Sequence, residues 1–189
     1  MRKIVLAGAA LVAAGCAIQV KLPYEPPPGS AGSQENSVEV RVTDDRKEAK
    51  SPAALGMFRS GGGMKLYPAV TYQEVPFADE VKADLRKELA SLGFAERAPA
   101  TRKLVVSLQQ WDFDGYNNTR VWYEFRLTVS DATGKLLAQS QVKDETVLKG
   151  HVESGAMEAV SRELPELYGE VIQSLVRKNP PILEALATK

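Results

Sequence analysis

Residues 103–135 read KLVVSLQQWDFDGYNNTRVWYEFRLTVSDATGK. Leu104, Val106 and Leu108 recur at every second position, and so do Val121, Tyr123, Phe125, Leu127 and Val129. A two-residue period puts each set on one face of a strand. In the first strand the apolar phase then moves to Trp111 and Phe113, which predicts a bulge near Gln109 and Gln110. Asp131-Ala132-Thr133-Gly134 has the Asp and Gly of a tight hairpin, so a third strand follows from Lys135. The stretch therefore predicts a three-stranded antiparallel meander with one apolar face.

Two helices are predicted to cover that face. Upstream, Phe77, Val81, Leu85, Leu89 and Leu92 recur at three- and four-residue spacing, and Gly93 is placed to end the helix in a left-handed conformation. Downstream, Met157, Val160, Leu164, Leu167, Val171 and Leu175 mark a helix from about 154 to 178. Pro165 predicts a kink or a junction of two helices inside it. Asn179-Pro180-Pro181 stops it, with at most a short terminal helix beyond. Before the first helix, Val38, Val40 and Val42 alternate in a strand closed by Asp44-Asp45-Arg46. Residues 51–76 predict one or two short strands around Gly61-Gly62-Gly63. The fold class is α+β: an antiparallel sheet of about four to five strands with two main helices packed on one face.

The N-terminus has a different character. Arg2 and Lys3 precede an apolar run of about eleven residues, Ile4 to Ala14, which ends in Gly15-Cys16. That is the pattern of a signal peptide, too short for the roughly twenty residues of a membrane-spanning helix. Ala13-Ala14-Gly15-Cys16 resembles the bacterial lipobox, with alanine where leucine is preferred. The resemblance implies diacylglycerol on the Cys16 sulfur, cleavage before it and acylation of the new amino group. As the chain's single cysteine, Cys16 has no disulfide partner. Ala17 stands where aspartate would signal inner-membrane retention, so the expected location is the outer membrane, facing the periplasm.

The expected organisation is a cleaved leader at 1–15, a lipidated Pro/Gly/Ser-rich tether at 16–36, and a single domain at 37–189. A tether of about twenty residues would reach ~65 Å extended and average ~25 Å as a coil.

The chain carries 24 Lys and Arg against 24 Asp and Glu. Cleavage removes two cations and leaves a net charge of about −2, which argues against a nucleic-acid partner. His151 is the single histidine, no Gly-x-Ser-x-Gly elbow occurs, and Gly61-Gly62-Gly63-Met64-Lys65 lacks a phosphate-loop ending. The oxygen-rich loop from Asp112 to Asn118 has Tyr123 where a calcium loop needs its bidentate glutamate. No catalytic residue, cofactor or metal is expected. Trp122 falls on the polar phase of its strand; with Trp111 and Tyr116 it forms a candidate recognition patch.

The layout resembles the YajG-like lipoproteins of Gram-negative bacteria. The resemblance rests on the lipobox and Pro-rich segment, the strand ending Asp44-Asp45-Arg46, and the helix ending Leu89 to Gly93-Phe94. The strands and final long helix that follow complete it. It implies an outer-membrane lipoprotein with no catalytic residues. The expected function is a non-enzymatic binding or accessory module working through an envelope partner. A PqiC-like lipoprotein subunit of a lipid or toxin transport assembly is the alternative, and an envelope hydrolase built around His151 the third reading.

Overall fold

The structure is a computed structural model that describes residues 17–29, 35–60, 65–115, 119–148 and 155–188. Seven strands and three α-helices follow in the order β1 (Ile18–Val20), β2 (Val38–Asp44), β3 (Ala54–Ser60), β4 (Lys65–Thr71), α1 (Phe77–Ser91), β5 (Arg102–Gly115), β6 (Thr119–Asp131), β7 (Leu136–Leu148), α2 (Gly155–Leu175) and α3 (Pro180–Ala187). A single 3₁₀ turn, Tyr72–Glu74, leads into α1.

The expected meander is present as β5, β6 and β7, antiparallel in sequence order. The β5 register shifts between Leu108 and Gln110, where the change of apolar phase predicts it. The sheet as a whole corrects the expected fold class. It has seven strands, in the order β1-β4-β3-β5-β6-β7 with β2 also on β5, and it is mixed. β2 and β3 pair parallel to β5, and β1 pairs parallel to β4. Alternation of side chains fixes which face is buried and carries no strand direction.

One face of the sheet is buried. Leu104, Val106, Leu108, Trp111 and Phe113 of β5 lie in one core with Val121 to Val129 of β6 and with Phe77, Leu85, Leu164, Tyr168 and Ile172 of the helices. Trp111 meets Phe77 at 5.0 Å and Tyr168 at 5.8 Å between ring centroids, so β5, α1 and α2 converge on its ring.

α1 ends as its sequence dictates. Gly93 takes φ 88°, and Phe94 N donates to Leu89 O while Gly93 N donates to Ala90 O. This is the Schellman closure that glycine makes inexpensive. α2 runs through Pro165 as one helix. α3 begins on Pro180 and Pro181, where missing N–H groups cost nothing. Its last carbonyls are answered from elsewhere: Asn36 Nδ2 donates to Leu186 O at 2.9 Å, and Arg102 Nε donates to Ala185 O at 3.1 Å.

The expected tether is the second correction. Ile18–Val20 is a strand of the sheet, with Ile18 opposite Ala69 and Val20 opposite Thr71. Beyond it Leu22 and Tyr24 are buried in the core. Proline makes this segment extended without making it free: Val20, Leu22 and Tyr24 point inward at a two-residue period while Lys21, Pro23 and Glu25 face solvent.

Candidate functional site

Three features carry polar side chains with unusual surroundings. The first is the strap, residues 17–29, which leaves the sheet after β1 and passes over α1. Tyr24 Oη donates to Glu88 Oε2 at 2.5 Å, Arg177 Nε donates to Glu88 Oε1 at 2.5 Å, and Arg177 Nη2 donates to Pro27 O at 3.2 Å. Glu88 is fully buried and joins the strap, α1 and the turn that follows α2.

Glu88 closes a row of acids at four-residue spacing along α1. Asp84 accepts from Tyr168 Oη at 2.9 Å and from Lys87 Nζ at 2.6 Å. Glu80, one turn further back, has a buried Oε2 without a hydrogen-bond partner among the described residues. Burial, and then the charge of Asp84, pushes its carboxyl up to about 7. Burial and Asp84 likewise hold the Tyr168 phenol well above its ordinary range. The sequence signal for this row was the acidic i, i+4 spacing on the same helix as the apolar stripe.

The second feature is a gap in the sheet. β2 leaves β5 after Asp44, opposite Leu108, and β3 joins it at Met57, opposite Asp114. Between these rungs β5 pairs with β6 alone among the described residues. Residues 45–53 arch over the gap. Arg46 holds the arch: its Nη1 donates to Ala54 O at 2.5 Å, its Nη2 to Pro52 O at 3.0 Å, and its Nε to Asp44 at 2.8 Å. Its guanidinium also lies 5.4 Å from the Phe77 ring centroid. Beneath the arch is a pocket of about 380 Å³, lined among others by Ser51, Met57, Gln109, Gln110, Trp111 and Asp112. Hydrogen bonds from Ser107, and then Thr43, hold the Asp45 carboxyl at its rim below the usual range.

The third feature is the outer face of the sheet. Trp122 is half-buried there, opposite Asp112 on β5 and Glu145 on β7. Around it Arg120 pairs with Glu145 at 2.8 Å, and Glu124 receives Lys143 at 3.0 Å and Arg126 at 3.3 Å.

The candidate patch is therefore not assembled as expected. Trp111 is 3% exposed and lies on the helix side of the sheet, with its Nε1 unpartnered among the described residues. The bulge that carries Trp111 into the core leaves Trp122 on the other face. Tyr116, Cys16, His151 and Gly61 to Met64 lie outside the described residues. Among the described residues, no group of three or more His, Cys, Asp or Glu side chains is placed to hold a metal ion, and no helix is long and apolar enough to cross a membrane.

No family model and no curated protein matches the sequence. The fold does have neighbours. The chain is similar to protein XCC0632 from Xanthomonas campestris, of the DUF330 family, with a TM-score of 0.57 and 15% identity over 82% of this chain and 92% of that one. Weaker likenesses join it to an uncharacterised protein (TM-score 0.42, 8% identity, 83% and 99% of the two chains) and to the PelC dodecamer from Paraburkholderia phytofirmans (0.38, 13%, 85% and 94%). Only the first is close enough to argue from. It shows a shared fold with a DUF330 protein, and the YajG-like resemblance has no sequence match beside it.

Proposed function

We propose that this chain is a bacterial outer-membrane lipoprotein, anchored through Cys16, whose periplasmic domain acts without catalysis as a binding or accessory module for another envelope component. The observation that carries the reading is the join between anchor and fold. Arg2, Lys3, the apolar run and Ala13-Ala14-Gly15-Cys16 make an export and lipidation signal, and the chain enters the sheet at Ile18. Two or more acyl chains, at about 0.8 kcal/mol per buried CH₂, give a stable anchor. The arched pocket beside the open sheet face offers the partner a concave, mixed-charge surface next to the stretch of β5 that pairs with β6 alone among the described residues.

The test is fractionation of cells expressing the native chain and Cys16→Ser. The native protein is expected in the outer-membrane fraction and incorporates labelled palmitate. The variant is expected in the soluble periplasmic fraction with unchanged circular dichroism. Native protein that stays soluble and unlabelled would overturn the anchor.

A further inference from the structure

The absence of slack between the lipidation position and the sheet has a geometric consequence, which rests on the lipoprotein reading above. We infer that the β1–β4 edge of the sheet, at the end carrying Leu66, lies directly on the phospholipid bilayer.

One residue, Ala17, separates Cys16 from Ile18. Two residue steps span at most ~7 Å, close to the thickness of one headgroup layer, which is half the difference between a core of about 30 Å and a bilayer of about 40–45 Å. The acyl chains begin at Cys16. Ile18, already hydrogen-bonded into the sheet, is thus confined to headgroup level. Whatever borders it on β4 shares that level. Ile18 stands opposite Ala69, and Leu66 is three residues earlier on the same strand, ~10 Å along it.

Leu66 is 53% exposed; among the described residues the other exposed large apolar side chains are Tyr72 and, on the far strand β7, Leu136, Leu137 and Val147, so it is the short link to Cys16 that singles out the Leu66 edge. Its β3 partner in the ladder is Arg59, itself exposed and paired with Asp114 through Nε at 2.8 Å and Nη2 at 2.8 Å. At the other end of the edge, Lys21 sits 4.3 Å from the Tyr72 ring centroid, and Tyr72 is exposed as well. At the Leu66 end, an exposed leucine beside a cationic side chain suits an interface of acyl chain and phosphate. A long tether would have left these residues free to face anywhere. The strap removes that freedom, and it also fixes the far edge, β7, about 24 Å away across five strand spacings. The open face and the arch then stand beside the membrane surface and do not roam above it.

The experiment uses the full lipidated chain in vesicles of phosphatidylethanolamine and phosphatidylglycerol. With Cys16 acylated, a single new thiol takes a nitroxide label, at Leu66→Cys in one sample and at Gln139→Cys on the exposed side of β7 in another. The ratio of collisions with oxygen, which concentrates in lipid, to collisions with an aqueous nickel chelate is expected to be several-fold higher at 66 than at 139. Equal ratios in protein that floats with the vesicles would overturn the inference and leave the anchor standing. Failure to float would overturn both.

Discussion

The phenol of Tyr24 donates to the carboxylate of Glu88 at 2.5 Å, joining residues 64 apart in sequence and closing the strap over α1. A hydrogen bond to a buried charged group is worth about 1.5–3 kcal/mol. Tyr24→Phe keeps the ring in its pocket and removes the donor. It is expected to lower stability to urea by about that amount and to speed amide exchange in residues 17–29 more than in β5 or β6. Burial, and then Glu88, raise the Tyr24 phenol above its ordinary value near 10. The folded chain keeps a proton there that the unfolded chain releases, so this contribution is complete below pH ~10 and declines as pH rises above it. Alkaline loss of stability is therefore expected to be smaller in Tyr24→Phe. An unchanged exchange rate in the strap would mean that the contact does not hold it.

The strap was legible in the sequence, but in a signal that composition obscures. Pro23, Pro26, Pro27 and Pro28 suggest a flexible linker, whereas the alternation of Val20, Leu22 and Tyr24 is that of a chain lying on an apolar surface. The meander, its bulge and the α1 terminus were legible because each depends on local spacing or a single glycine. The parallel pairing of β2 with β5, Val38 opposite Arg102 through Asp44 opposite Leu108, was not. It is decided by how the chain returns through α1, and no local pattern records that. Trp111 shows the same limit. Its phase change announced the bulge, but the ring's burial depends on Phe77 and Tyr168, which lie far away in the sequence.

Glu80 contributes to stability in the opposite sense from most carboxylates. Its folded value of about 7 stands above the ordinary 4.5, so the folded state binds a proton more tightly than the unfolded one. The associated stability is complete below pH ~4.5 and lost as pH rises towards 7. Glu80→Gln keeps the shape and removes the ionisation. Because the side chain retains some contact with solvent, screening reduces the gain to on the order of 1 kcal/mol at pH 8. Urea midpoints at pH 4.5 and pH 8 measure it, and a variant no more stable at pH 8 would show the carboxylate to be well solvated.

Gly56 is where β3 comes against β5. A Cβ there would lie 2.5 Å from Phe113 O and 2.6 Å from Phe113 N, and a backbone cannot yield as a side-chain tip can. Gly56→Ala is expected to lose more than about 2 kcal/mol. Gly134→Ala makes the comparison informative, since nothing lies within 4 Å of its Cβ and only its φ of 89° opposes the change. About 1 kcal/mol is expected there. Equal melting temperatures for the two variants would mean that the β3–β5 junction is looser than the structure has it.

Trp111 and Trp122 occupy opposite faces of the same pair of strands, and their truncations separate folding from recognition. Trp111→Ala empties a site enclosed by Phe77, Tyr123, Phe125 and Tyr168, and about 3–5 kcal/mol of stability is expected to go with it. Trp122→Ala removes a half-buried ring from a face where its neighbours are Asp112, Glu145 and the paired charges around them, and a loss within about 1 kcal/mol is expected. If the outer face is where the domain meets its partner, Trp122→Ala should abolish co-purification from crosslinked membranes at unchanged abundance and melting temperature. A photo-crosslinker at position 122 should then capture a second envelope component. Capture of the protein's own strap, or of nothing beyond another copy of itself, would assign Trp122 to packing and direct the search for the partner to the pocket beneath residues 45–53. That pocket shares Asp112 with Trp122 through the β5–β6 ladder.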